Sequence, residues 1–100
     1  MFIVIREYEV RAGSEPAFEA LYGPHGAWVA LFREHHGYLG TDLLRDERPR
    51  HYLTLDRWES EADHAAFHDM AAARYAEIDA LGDALTLGER RIGRYHAPAC

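Results

Sequence analysis

The chain opens with Phe2-Ile3-Val4-Ile5, four apolar residues of which three are β-branched, and continues through Arg6-Glu7-Tyr8-Glu9-Val10 before Ala12-Gly13 ends the segment. Successive side chains of a strand point to opposite faces, so Phe2 and Val4 share one face while Ile3 and Ile5 share the other. A first strand that is apolar on both faces belongs to a sheet with cover on both sides. The chain has 100 residues, the length of one domain, and its own helices suffice for one face only. The second face then calls for a homodimer with sheets packed face to face, or for an extra helix.

The rest of the pattern supplies those helices. Ser14 is positioned as an N-cap with Pro16 in the first turn, ahead of Phe18, Leu21 and Tyr22. Gly23-Pro24-His25-Gly26 interrupts this helix, which resumes with Trp28, Leu31, Phe32 and His35 at three-and-four spacing and stops at Gly37. Tyr38 to Arg45 reads as a second strand, the charged run Asp46 to Arg50 as a turn, and His51 to Trp58 as a third strand. Tyr52, Thr54, Asp56 and Trp58 share one face of that third strand. Ser60 caps a long second helix with Asp63 at its N3 position; its expected apolar face is Phe67, Met70, Ala71, Ile78 and Leu81, and it ends at Gly82 or later. Thr86 to Tyr95 is the fourth strand. The order β-α-β-β-α-β predicts a single α+β domain over residues 1–100, ferredoxin-like, with two helices on one face of a four-stranded antiparallel sheet.

Composition restricts the chemistry. There is no Lys, Asn or Gln, and Arg supplies all 11 fixed positive charges. Schiff-base lysine chemistry, a catalytic carboxamide and an N-glycosylation acceptor are thereby excluded. A net charge of −6 with dispersed Arg residues argues against nucleic acid or an anionic membrane as partner. The one Cys is Cys100, so no intramolecular disulfide forms, and a catalytic thiol is not expected at that position. The apolar start is too short for a signal peptide or a membrane span, which leaves a cytoplasmic protein as the expectation.

Candidate site residues come from the second helix first. On a wheel of 100° per residue, His64, His68 and Tyr75 fall within ~40° of one another, beside the apolar face. Such a stripe can move protons near neutral pH, and the plainer alternative is a row of half-exposed boundary residues. The i,i+4 spacing of His64 and His68 would suit a shared metal, but no third ligand stands nearby in sequence, and no metal is expected. His35-His36 reads as a pair favoured by the helix C-terminal dipole. Trp58, Phe67, Trp28 and Phe32 are candidate pocket walls or simply core. Glu7 shares a face with Ile3 and Ile5, and an acid there must find a partner or shift its pKa. It approaches a pocket if that face meets the helices, and pairs with an Arg of a partner subunit if that face is a dimer interface. Arg74 is either a donor to a developing oxyanion or the partner of a carboxylate. Gly23-Pro24-His25-Gly26 lacks the spacing of a phosphate loop and reads as a joint between helical pieces.

Three phrases carry a family resemblance: Gly37-Tyr38-Leu39-Gly40-Thr41, the strand Tyr52-Leu53-Thr54-Leu55-Asp56-Arg57-Trp58, and Glu59-Ser60-Glu61-Ala62 leading into a helix with Phe67 and His68. Together with the order of elements, the chain resembles the antibiotic-biosynthesis monooxygenase superfamily of dimeric α/β-barrel proteins. The resemblance implies a pocket between helices and sheet and oxidation of an aromatic or quinol-like small molecule by dioxygen with no cofactor. For such chemistry the stripe beside the apolar face offers His64 or His68 to accept the proton, with Trp58 and Phe67 in the wall and Tyr75 and Arg74 to stabilise charge. Thr54 stands where the family oxygenases commonly place Asn, and His64 falls near a family Tyr. Haem-degrading relatives carry an Asn and a haem-ligating His in regions that here read Glu7 and Glu77. Two alternatives therefore accompany the oxygenase expectation: a non-enzymatic small-molecule-binding or stress-related dimer, and a haem-binding or haem-degrading protein.

Overall fold

A computed structural model describes residues 1–98, so the expectation about Cys100 lies outside the described residues. The elements follow as β1 (Phe2–Val10), α1 (Glu15–Tyr22), α2 (Ala27–Phe32), β2 (Tyr38–Arg45), β3 (His51–Trp58), α3 (Glu61–Met70), α4 (Ala72–Leu85) and β4 (Thr86–His96). The sheet is antiparallel in the order β2-β3-β1-β4. This is the expected ferredoxin-like α+β plan.

The parity of β1 settles which face meets the helices. Phe2, Val4, Tyr8 and Val10 are buried, whereas Ile3, Ile5, Glu7 and Glu9 are only partly covered. On β3 the buried side chains are Tyr52, Thr54 and Trp58. These two rows meet Phe18, Tyr22, Trp28, Leu31, Phe32, Phe67, Ala71 and Ile78 from the helical layer to form one core. The opposite face keeps Ile3, Ile5, Leu53 and Leu55 half-buried and Leu44 exposed.

Three local features depart from expectation. Ser60 accepts a hydrogen bond from the Asp63 backbone N–H at 3.1 Å, as its N-cap position requires, but Ser14 makes no side-chain cap. The helix through Trp28 ends at Phe32, so His35 and His36 lie in the turn beyond it rather than in its last turn. The long second helix is two helices with a junction at Ala71. Its inward stripe is Phe67, Ala71, Tyr75, Ile78, Gly82 and Leu85, which places Met70 at 75% and Leu81 at 58% exposure instead of in the core. Small Gly82 belongs to this stripe because a Cβ there would strike the Tyr22 hydroxyl.

A bulge in β2 shapes the inner face further. Tyr38 pairs with Trp58 and Thr41 with Asp56, with a register shift between Tyr38 and Gly40. Strict alternation would turn Tyr38 and Thr41 to opposite sides; one extra residue brings both inward. Gly40 carries the unusual backbone at φ +149°, which suits glycine. No helix among the described residues is long and apolar enough to cross a membrane.

Candidate active site

The inner face of the sheet and the helical layer enclose a cleft with a cavity volume of about 30 Å³. That is room for water-sized molecules as it stands, so a ring-sized ligand enters only if side chains yield. Tyr22, Trp28 and Phe32 reach it from α1 and α2, His64, Phe67 and His68 from α3, and Tyr75 and Asp79 from α4. The floor is Val4, Arg6 and Tyr8 on β1, Thr41 on β2, and Thr54, Asp56 and Trp58 on β3, with Glu89 of β4 at one side.

The wall is aromatic and interlocked. Trp28 meets Tyr75 edge-on with ring centroids 4.8 Å apart, and Phe32 meets Trp58 edge-on at 5.8 Å. Phe67 lies 5.2 Å from Trp58 and 5.1 Å from Phe32. Such pairs fix ring orientation beyond what simple burial does. The indole N–H groups of Trp28 and Trp58 are buried without a hydrogen-bond partner. An unmet buried donor costs ~1–3 kcal/mol, so each is a ready contact for an acceptor entering the cleft.

His64, His68 and Tyr75, grouped by helical spacing in the sequence, do come together. The Nε2 atoms of the two histidines are 3.1 Å apart, and the His68 ring lies 4.9 Å from that of Tyr75. A hydrogen bond between two ring nitrogens needs one donor and one acceptor, so at least one ring is neutral. Burial, the neighbouring His68 and the cations Arg94 and Arg6 push His64 down to about 4. Burial, Arg6 and Arg94 also lower His68. The pair is therefore neutral around pH 7.

Residue-by-residue reading of the sequence missed the charged floor. Arg6 donates to Glu89 Oε1 at 2.9 Å. Burial works against its charge, but the Tyr75 and Tyr8 phenols and Glu89 outweigh it, holding its pKa above the ordinary value. Asp56 has a different environment: its Oδ1 accepts from Thr41 Oγ1 at 2.7 Å, and Thr41 Oγ1 lies 2.7 Å from the Tyr38 hydroxyl. Burial pushes Asp56 up to about 6, against the Thr41 bond and the more distant charges of Arg6 and Arg57. The available signal was its place on one face with Tyr52 and Trp58.

Two sequence candidates lie elsewhere. Arg74 is 54% exposed and donates to both carboxylate oxygens of Glu34 at 2.8 Å, tying α4 to the turn after α2. The inward stripe uses Ala71 and Tyr75, which leaves Arg74 on the flank; the cation lining the cleft is Arg6. Glu7 points to the outer face, where Arg90 and Arg48 of the same chain donate to it at 2.8 and 3.2 Å. Among the described residues, His36, Glu59 and Asp63 form one group able to share a cation and Asp79, Asp83 and Glu89 another, and neither includes His64 or His68.

Against known proteins, residues 1–77 match the antibiotic biosynthesis monooxygenase family. Compared with curated protein sequences, the chain matches none. Among solved structures it is similar to SnoaB, a cofactor-independent oxygenase from Streptomyces nogalater, at 17% identity and TM-score 0.80, over 99% of this chain and 94% of that one. It is also similar to an antibiotic biosynthesis monooxygenase candidate from Bordetella bronchiseptica, at 23% identity and TM-score 0.77, over 98% and 97% of the two chains. A NIPSNAP domain protein from Burkholderia xenovorans follows the same fold at 15% identity and TM-score 0.71, over 99% and 96%. At these identities the structural likeness speaks for the fold, while the family match spans most of the sequence: the chain belongs to the antibiotic biosynthesis monooxygenase family.

Proposed function

We propose that this protein is a cytoplasmic homodimer that oxidises a small aromatic or quinol-like molecule with dioxygen, without a cofactor. The observation that carries the reading is the cleft itself: aromatic walls, a buried indole N–H on Trp58 with no partner, and ionisable groups on its floor. The aromatic walls suit a flat ring, and the Trp58 N–H suits an oxygen that gains negative charge during reaction. In the overall reaction the substrate loses two hydrogens and gains one oxygen atom, and those hydrogens leave with the second oxygen atom as water. The substrate supplies the electrons once its O–H proton is removed, because the anion is the better one-electron donor to dioxygen. A side chain of the cleft must take that proton, and the hydrogen-bonded His64–His68 pair can relay one to the reduced oxygen, one ring accepting a proton as the other gives its own. Tyr75 and Arg6 stand beside the site where charge develops.

The exposed and half-buried leucines and isoleucines of the outer face support the dimer, since the chain's own helices all lie on the other side. The cavity volume of about 30 Å³ favours a second reading, a non-enzymatic ligand-binding dimer in which the cleft opens only to hold its ligand. Haem has less support: Glu7 turns to the outer face and Glu77 is exposed, so neither position brings a ligand to the cleft.

Oxygen uptake with 1,4-naphthohydroquinone, followed by mass spectrometry under ¹⁸O₂, tests the reading. Uptake above the uncatalysed rate with one labelled atom in the organic product is expected, and Trp58→Phe should lower kcat while leaving the fold intact. Uptake no faster than without protein would remove the oxygenase reading, and saturable binding in its absence would leave the ligand-binding one.

A further inference from the structure

We propose that Asp56 is the group that takes the proton from a phenolic O–H bound in this cleft, and that Thr41 and Tyr38 carry the proton away from it. The proposal rests on the oxygenase reading for its catalytic consequence, though not for the proton transfer itself.

The geometry assigns directions to the chain of hydroxyls. Thr41 has one hydroxyl proton, and that proton is given to Asp56 Oδ1. Its oxygen then accepts from Tyr38 across the 2.7 Å contact, so the order is Tyr38 to Thr41 to carboxylate. The β2 bulge at Gly40 is what allows Tyr38 and Thr41 to share a face. Among the described residues no hydrogen bond from the chain reaches Asp56 Oδ2, which leaves lone pairs for a ligand. Trp58 is two residues further on the same strand face, so its free N–H and the free carboxylate oxygen line one floor.

The other ionisable groups of the cleft are less suited to this step. His64 and His68 hold each other through Nε2, and burial beside Arg6 and Arg94 disfavours a further proton on either. Glu89 is bound to Arg6. Tyr75 of α4, raised by burial, is protonated near pH 7. Asp79, raised by burial and by Asp83 and Glu89, is grouped with those two carboxylates at the Glu89 side of the cleft rather than on the strand face of Trp58. Asp56 faces Arg6 of β1 and Tyr38 of β2, with Arg57 adjacent in sequence on the opposite face, and none of these donates a hydrogen bond to it directly. It is ionised above about pH 6 yet retains enough basicity to accept a proton.

In the step, the substrate O–H bond breaks, its electron pair stays on the substrate oxygen, and an O–H bond forms on Asp56. A half-turn of the carboxyl group presents that proton to Thr41. The Thr41 and Tyr38 hydroxyls turn over so that Thr41 donates to Tyr38 and Tyr38 to solvent. Thr41 then takes the carboxyl proton as it passes its own to Tyr38, and the half-buried Tyr38 passes one to solvent, which regenerates the carboxylate.

2-Naphthol tests this without oxygen chemistry. It becomes a far stronger acid when excited, and in a water-poor site it emits as naphtholate only where a neighbouring group takes its proton. Bound to the anaerobic wild-type protein it should show the red-shifted naphtholate band, appearing as pH rises through about 6. Asp56→Asn, checked for folding by circular dichroism, should lose the band, and His68→Phe should keep it. Thr41→Val should move its onset to higher pH, because Asp56 loses the bond that favours its charge. With 1,4-naphthohydroquinone, Asp56→Asn should lower kcat ~100-fold with little change in KM. Failure of 2-naphthol to bind, neutral emission from the wild type, or a band that survives Asp56→Asn would overturn the proposal. A band that depends on Asp56 in a protein without oxygen uptake would keep the proton acceptor and remove the oxygenase reading. Full oxygen uptake by Asp56→Asn would do the reverse.

Discussion

Glu7 and Asp56 are carboxylates on adjacent central strands of one sheet, and the faces they point to give them opposite fates. Glu7 faces outward, where the Arg90 and Arg48 guanidiniums hold its pKa below the ordinary carboxylate value. Asp56 faces the helices, where burial pushes it up to about 6 because its nearest donor is a neutral hydroxyl. The inner cation, Arg6, is committed to Glu89. Two guanidiniums hold an outward carboxylate in its ionised form, whereas a largely desolvated one whose direct donor is a threonine keeps more of its basicity. Strand parity thus gives Glu7 two paired cations and leaves Asp56 with a neutral hydroxyl as its direct partner.

The largest expected effect sharpens the contrast between faces. Trp58 is fully buried at the centre of the aromatic wall, and Trp58→Ala should destabilise the protein by ~3–5 kcal/mol in urea unfolding. Leu44 on the outer face is 48% exposed within one chain, and Leu44→Ala should cost under ~1 kcal/mol in the monomer. If the outer face is covered by a second copy, the Leu44→Ala cost should grow with protein concentration. Equal costs for the two substitutions at micromolar and at nanomolar protein would break the distinction.

Next in size is the pH dependence of the carboxylates themselves. Folded Asp56 keeps its proton up to about pH 6, whereas an unfolded chain loses it near 3.8. Between those values the folded state holds more protons, so this residue's contribution to stability falls as pH rises. Asp56→Asn should therefore stabilise the fold at pH 7.5 by ~1–2 kcal/mol, less than a two-unit shift allows because the cleft is partly wet, and the gain should vanish below about pH 4. Glu7→Gln should act in the other direction. Its lowered pKa contributes stability above the unfolded value that is lost as pH falls through the folded one, and salt should weaken the effect.

The same parity explains how far the amino-acid pattern alone could be read. The strands and their order followed from alternation and turn residues, and the grouping of His64, His68 and Tyr75 survived the junction at Ala71 because 67-71-75-78 continues the helical stripe across it. Met70 and Leu81 are apolar yet exposed, because position on the helical stripe rather than apolar character decides which side chains face inward. Glu7 shares its face with Ile3 and Ile5, but an acid on an apolar face must pair or shift, and that pressure is greater on Asp56 beside Tyr52 and Trp58. The Tyr38–Thr41 contact was beyond reach: it depends on a bulge that contradicts simple alternation.

A smaller effect separates the histidines from Asp56. Burial holds His64 near 4 in the folded protein, against about 6.5 when unfolded. Its contribution to stability is fully present above about pH 6.5 and is lost as pH falls toward 4, opposite in slope to that of Asp56. In wild type the two slopes offset each other across that interval. In Asp56→Asn the two histidines should dominate the slope, with a loss of ~1–2 kcal/mol between pH 6.5 and 4.5, and adding His64→Phe should reduce it. A double variant as acid-sensitive as Asp56→Asn would mean that other groups control stability in this range.

The smallest expected effect concerns the two arginines. Arg74 and Glu34 are both more than half exposed, and such pairs are worth ~0.2–1 kcal/mol. Arg74→Ala should hardly alter stability and leave 2-naphthol emission unchanged, because the residue does not line the cleft. Arg6→Met keeps much of the side-chain bulk but removes the positive field acting on Asp56, His64 and Tyr75. The onset of naphtholate emission should then move to higher pH, since losing a cation raises the carboxylate further, while the histidines become easier to protonate. An arginine on the helix flank that shifted this onset as much as Arg6 does would show that charge reaches the floor through the helical layer, and parity of the sheet would lose its explanatory role.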